Sequence, residues 1–274
     1  MGKGSWRGMS GHLRSLRAQI LLWILLPIAI FLLGLSFTDV YGHQRTMRLM
    51  IEERDGALAR AAAERIADNL HHRAHLLEAL AANEAFRFAP PNVQRQMLLP
   101  LLVDFSSGVV VLDAESTMSS ASPGAEAWAQ SAFVMLLASE AAREGAPVYR
   151  ATPGDGLPPL SLAMAVPWPD RAGAIIGVVP LADSTITQAV QGLLVAPQTQ
   201  AWLFDGEGLV IYRVGGTADG PSTPPPASDA MVTLSLPVPH TRWQVVMAEP
   251  WHRMMPLVLR YAQATVLIAI AAVL

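Results

Sequence analysis

The sequence predicts an α+β membrane protein, and three observations carry that fold class. Ala18 to Phe37, AQILLWILLPIAIFLLGLSF, contains no charged side chain. At about twenty residues it is long enough to cross a bilayer core. From Thr38 to about Asn83 the pattern is amphipathic and helical. Beyond Ser106, strand and turn pieces occur twice in the same order, an internal repeat legible by element order more than by identity.

Composition narrows the function. The 274 residues are 52% hydrophobic and only 15% charged, and the apolar run accounts for part of that excess. A net charge of -3 leaves no basic footprint, so nucleic acid is not a partner. There is no cysteine, which excludes disulfides, thiol nucleophiles and thiolate metal sites. No G-x-S-x-G, H-E-x-x-H or P-loop is present, so no catalytic residue and no cofactor are expected.

Residues 1–17 carry Lys3, Arg7, Arg14 and Arg17 and no acid, which marks a cytoplasmic tail. Residues 18–37 are then transmembrane helix 1. A secretory signal peptide is the competing reading, but its apolar core is shorter, about 7–15 residues. Pro27 is tolerated in a membrane helix if neighbours satisfy the freed carbonyl.

Residues 38–104 read as a helical rod with a return helix. Met47, Ile51, Leu58, Ala62, Ile66, Leu70, Leu77 and Leu80 recur at helical spacing on one face. Glu53, Arg60, Glu64, Asp68, His71 and His75 lie opposite, as a solvated or dimer-flanking face does. His71, His72 and His75 with Asp68 have metal-ligand spacing, but nothing supplies a further ligand and no metal site is expected. Pro90 and Pro91 break the rod before a short helix at Val93–Val103.

Residues 105–195 form the first module. Its strands are expected within Gly108–Ser116, Pro147–Ala151, Leu160–Val166 and Ala174–Leu181, with an alanine-rich helix over Ala125–Arg143 and a helix capped by Asp183 or Ser184. Residues 196–250 repeat the order: AWLFDGEG parallels VVLDAES, VTLSLPVP (Val232–Pro239) parallels LSLAMAVP (Leu160–Pro167), and Trp243–Glu249 closes the unit. Asp113 to Pro167 is 54 positions and Asp205 to Pro239 is 34. The surplus lies in the alanine-rich helix and a Gly/Pro loop, elements able to roof a cavity, so the first module is the better ligand candidate. Val214–Asp229 is poor in large apolar residues and reads as a spacer. Residues 251–274 form a helix into an incomplete transmembrane helix 2.

With this order in hand, the chain resembles the double Cache (tandem PAS-like) sensor regions of bacterial membrane receptors. The resemblance rests on ARAAAERIADNL, VVLDAES, SLAMAVPWPDRAGAIIGVVPLAD, AWLFDGEGLVIY and RWQVVMAEPWHRMMPLV. It implies extracytoplasmic ligand sensing, usually in the membrane-distal module, within histidine kinases, diguanylate cyclases or chemoreceptors. Members that bind amino acids place Tyr, Arg, Trp, Tyr and Asp around the distal pocket. The resemblance carries ligand binding to Trp128, Tyr149, Arg150 and Asp183, although the close Arg-x-x-Trp-Tyr cluster is absent.

The expected protein is therefore the sensor region of a multi-pass plasma-membrane signalling protein. A two-component histidine kinase is foremost, with a diguanylate cyclase or chemoreceptor as alternatives. Its partners would be a small molecule outside, the lipid bilayer, and a second copy in a homodimer packed along Ile51, Leu58, Ile66 and Leu77 or the flank of that stripe. A membrane-anchored structural or hydrolytic envelope protein is the reading from another class.

Overall fold

The computed structural model describes residues 16–251 apart from 153–156, 158–159, 171–172, 183, 197, 216–223, 225–227 and 229–230. The chain divides into two compact units, residues 1–53 with 251–274, and residues 54–250. Helix α1 (Leu16–Ala82) includes the expected span, with Pro27 inside it. Many side chains of Ala18–Phe37 lie outside the described residues; Trp23, Ile24, Ile28, Ile30, Phe31 and Leu35 are exposed. Among the described residues no helix is long and apolar enough to cross a membrane. The structure thus shows the α+β part of the expected class. Most of the expected tail and of the second span falls outside the described residues.

Within the unit 54–250, α1 offers a face of Ala59, Ala62, Ala63, Ile66, Leu70, Ala74 and Leu77, all buried. The alanines let two sheets approach closely, while Ile66, Leu70 and Leu77 supply volume, each worth about 1.5–3 kcal/mol on burial. Ile66 and Leu77 are 0% exposed, so this part of the stripe packs within the chain and is not open to a second copy. A rod whose own sheets fill its apolar face leaves only its polar flank, with Arg60, Glu64, Asp68, His71 and His75, in solvent. Asn83 starts the next helix, α2 (Glu84–Arg87), where its Oδ1 accepts from the N–H groups of Ala85 (2.9 Å) and Phe86 (3.3 Å). Helix α3 (Pro91–Leu98) follows with proline at its first position and tightens into a 3₁₀ turn at Leu99–Val103.

The first sheet contains β1 (Val109–Leu112), β2 (Met118–Ala121), β3 (Val148–Ala151), β4 (Ser161–Pro167) and β5 (Ala174–Pro180), antiparallel in the order β2-β1-β5-β4-β3. Val109, Val111, Ile175 and Val179 join the α1 core, while Val110, Leu112, Ile176 and Val178 face the other way. That second face lies under α4 (Ala132–Glu144). The helix is shorter than expected. It starts where Ser131 Oγ accepts from the Val134 N–H (3.3 Å) and stops at Gly145, φ 68°. Ala125 and Ala129 instead sit in tight turns, and the buried Trp128 indole donates to the Ser107 carbonyl (3.0 Å). A short helix, α5 (Thr185–Gln191), capped by Ser184, leads to the second sheet.

That sheet has β6 (Gln200–Phe204), β7 (Val210–Gly215), β8 (Met231–Pro237) and β9 (Gln244–Pro250) in the order β7-β6-β9-β8. The repeat holds at atomic detail. Asp113 Oδ1 accepts from the N–H groups of Glu115 (3.1 Å) and Thr117 (2.8 Å), and Asp205 Oδ1 from those of Glu207 (2.9 Å) and Leu209 (2.8 Å). Register shifts between Val111 and Leu112 in one sheet, and between Leu203 and Phe204 in the other. Pro167 pairs with Ala174 and Pro237 with Gln244, so the partner of Pro167 is Pro237, not Pro239. The matched spans are then 54 and 32 positions.

Candidate functional site

Strand β3 has no counterpart among the described residues of the second module, and it forms the edge of its sheet. Its alternation sends Val148 toward the α4 core and Tyr149 against the α1 core. Arg150 meets α4, where its Nη2 lies 2.9 Å from Glu140 Oε1. Its Nη1 lies 2.8 Å from Glu207 Oε1, on the β6–β7 turn of the second module. A second bridge joins Arg242, on the β8–β9 turn, to Glu144 of α4 at 3.5 Å. Gly206 permits this meeting of turns, since a Cβ there would come within 2.5 Å of the Arg242 Cβ.

These residues enclose a cavity of about 370 Å³ lined by Glu140, Glu144, Pro147, Tyr149, Arg150, Glu207, His240, Arg242 and Trp243. Its size lies within the range of small-molecule sites, about 300–1,000 Å³. Tyr149 and the buried Trp243 meet edge to face, ring centroids 6.5 Å apart. Burial, with the Glu78 charge adding to it, pushes the Tyr149 phenol up to about 12, so it stays protonated and can donate. Bonding to Glu140 holds the Arg150 guanidinium above its ordinary value and firmly charged. Such a lining suits binding of a small polar molecule, with aromatic walls and exchangeable ion pairs.

Of the expected site residues, the structure brings Tyr149 and Arg150 together here. Trp128 is absent from the lining and packs with Val134 and Leu137 under the sheet. Asp183 lies outside the described residues. Sequence reasoning missed Glu140, His240, Arg242 and Trp243. Asp205 and Glu207 were visible only as counterparts of Asp113 and Glu115, which placed a turn without saying what it faces. Among the described residues no cluster of His, Asp and Glu is placed to hold a metal.

No family model and no curated relative matches this chain. Solved structures do. The ligand-binding domain of the Pseudomonas fluorescens chemoreceptor CtaA, in complex with L-leucine, aligns with TM-score 0.59 and 14% identity over 77% of this chain and 99% of that one. This chain shares the fold of that ligand-binding domain. An extracellular ligand-binding receptor from Desulfohalobium retbaense aligns with TM-score 0.54 and 13% identity over 71% of this chain, which spans 40% of that receptor. The extracellular domain of soHK1S-Z6, described as a histidine kinase, gives TM-score 0.52 and 13% identity over 76% of this chain and 97% of that one. The expected α+β architecture, with two antiparallel sheets and a long N-terminal helix, is the observed one.

Proposed function

We propose that the chain is the extracytoplasmic ligand-sensing region of a transmembrane signal-transduction protein, foremost a two-component sensor histidine kinase. The observation that carries this reading is the pair of repeated sheets on one helix, an architecture shared with the ligand-binding domain of CtaA over 99% of that domain. The charge-free run Ala18–Phe37, with its exposed Trp23, Ile28 and Phe31, supports a membrane span, and the basic tail supports a cytoplasmic N-terminus. A diguanylate cyclase or chemoreceptor output fits the same sensor.

In this reading a small molecule enters the cavity beside β3 and contacts Tyr149 and Arg150. It competes with Glu207 for the guanidinium and so shifts the balance between two arrangements of the modules. The protein works as a homodimer through the exposed flank of α1. The 274-residue chain in detergent, screened by thermal shift against amino acids, organic acids and amines, tests this. A binder should raise Tm by mass action, and Tyr149→Ala and Arg150→Ala should abolish the rise. A confirmed binder indifferent to both substitutions would place the site elsewhere.

A further inference from the structure

The polar flank of α1 carries chemistry that the cavity beside β3 does not use. Glu64, Asp68, His71, His75 and Glu78 recur at intervals of four and three residues, so they form one line along the helix, on the side away from the buried Ile66, Leu70 and Leu77. Glu64, Asp68, His71 and His75 are exposed, and Glu78 keeps 40% of its side chain in solvent.

His71 and His75 stand one turn apart, and their rings meet edge to face with centroids 4.2 Å apart. Imidazoles at i and i+4 on one helix face can grip a single zinc ion. His75 Nδ1 lies 3.0 Å from Glu78 Oε2, so the carboxylate accepts the Nδ1 proton and leaves the Nε2 lone pair for a metal. A carboxylate behind the ring is the usual support of a metal-ligating histidine. The surrounding charge has the matching sign, because the line holds three carboxylates and Arg60 stands a turn beyond its end. Two imidazoles fill half of a tetrahedral zinc site. Among the described residues no third His, Asp or Glu of the same chain joins them.

We infer that His71 and His75 bind a divalent transition metal ion of the zinc class together with the same two residues of a second copy. The inference rests on the homodimer through the α1 flank proposed above. Intervals of four and three are the spacing of a two-helix seam, which in parallel helices sets each histidine level with its counterpart. A two-fold interface then supplies the same pair twice and completes the four ligands. Without a cation such a seam would set the carboxylates of one copy against those of the other. An all-imidazole set suits zinc, nickel or copper and not magnesium or calcium.

The test equilibrates the untagged 274-residue chain in detergent with micromolar zinc chloride and measures bound metal and particle mass. The expected result is about one ion per two chains, in a dimer that EDTA strips of its metal, and no uptake of magnesium. His71→Ala and His75→Ala, at exposed helical positions where alanine is safe for folding, should each abolish binding. Glu78→Gln should weaken it by about tenfold. His72→Ala, off the line and beside Asp104 at 3.9 Å, should bind as the parent does. No bound zinc, one ion per chain, or binding that survives His71→Ala or His75→Ala overturns the assignment. A dimer that takes up no zinc overturns the metal site alone and leaves the proposed homodimer standing, whereas a chain that stays monomeric in saturating zinc overturns both.

Discussion

In the first sheet the inward position at Gly177 has no side chain, and the Phe105 ring from the preceding turn fills the space; a Cβ there would come within 2.3 Å of that ring. The equivalent position in the second sheet is Met247, whose own side chain is buried. The same exchange recurs at the last hairpin. Trp168 and Gly173 close it in the first module, Val238 and Trp243 in the second, and each pair makes the same backbone bond, at 3.0 and 2.9 Å. What the two modules share is the volume packed against α1, not the position in the chain that supplies it. That is why they agree in element order and turn geometry while differing in identity.

The comparison breaks most visibly at Gly177. Giving the first module the residue of the second, Gly177→Met, should destabilise by about 4 kcal/mol or more, since two side chains would claim one space in a closed core. Adding Phe105→Ala should recover part of that loss, because the methionine then takes the vacated volume. Chemical denaturation of the single and double variants measures both. A Gly177→Met protein as stable as the parent would mean that the two sheets do not fill their interiors by exchange.

The hairpin aspartates sharpen the comparison at intermediate scale. Asp113→Ala and Asp205→Ala each remove an acceptor for two backbone N–H groups and should cost about 1–2 kcal/mol. The loss should be greater at Asp205, which is 8% exposed, than at Asp113, which sits nearer solvent so that water can replace its lost bonds. Equal losses would show that the turn alone, and not its burial against the first module, sets the value.

Much of this plan was legible beforehand. The central strands announced themselves as apolar runs because both faces are covered, as in Val109–Leu112 and Ala174–Pro180. The edge strands β2 and β7 did not. Met118–Ala121 is half serine, and Val210–Gly215 alternates too weakly, since edges bury less and need less pattern. The candidate site was half legible. Tyr149 and Arg150 stand on a strand found from sequence, whereas Glu140, Glu207 and Arg242 join them only through the docking of two turns onto α4, which no local spacing encodes.

The smallest effect separates the modules by charge. Where the first sheet has Val179, the second has Glu249, 1% exposed, which accepts from the Thr199 hydroxyl and lies 3.3 Å from Arg54 of α1. Arg54, half exposed, also bonds Asp55, itself 2% exposed, at 2.7 Å. Two buried carboxylates thus share one guanidinium among the described residues. Burial raises the Asp55 carboxyl above its ordinary value, against the opposing pull of Arg54. A raised carboxyl binds its proton more tightly in the folded state. Its contribution is therefore fully present below about pH 4 and is lost as pH rises through the folded value. Asp55→Asn keeps the shape and removes the titration. The variant should be more stable than the parent at neutral pH, by under about 1 kcal/mol given the exposure of Arg54, and the advantage should vanish toward pH 4. Denaturation of both proteins between pH 4 and 8 reads this directly. A difference that stays constant across that range would mean that Asp55 keeps its charge throughout, and that the α1–β9 joint is an ordinary ion pair.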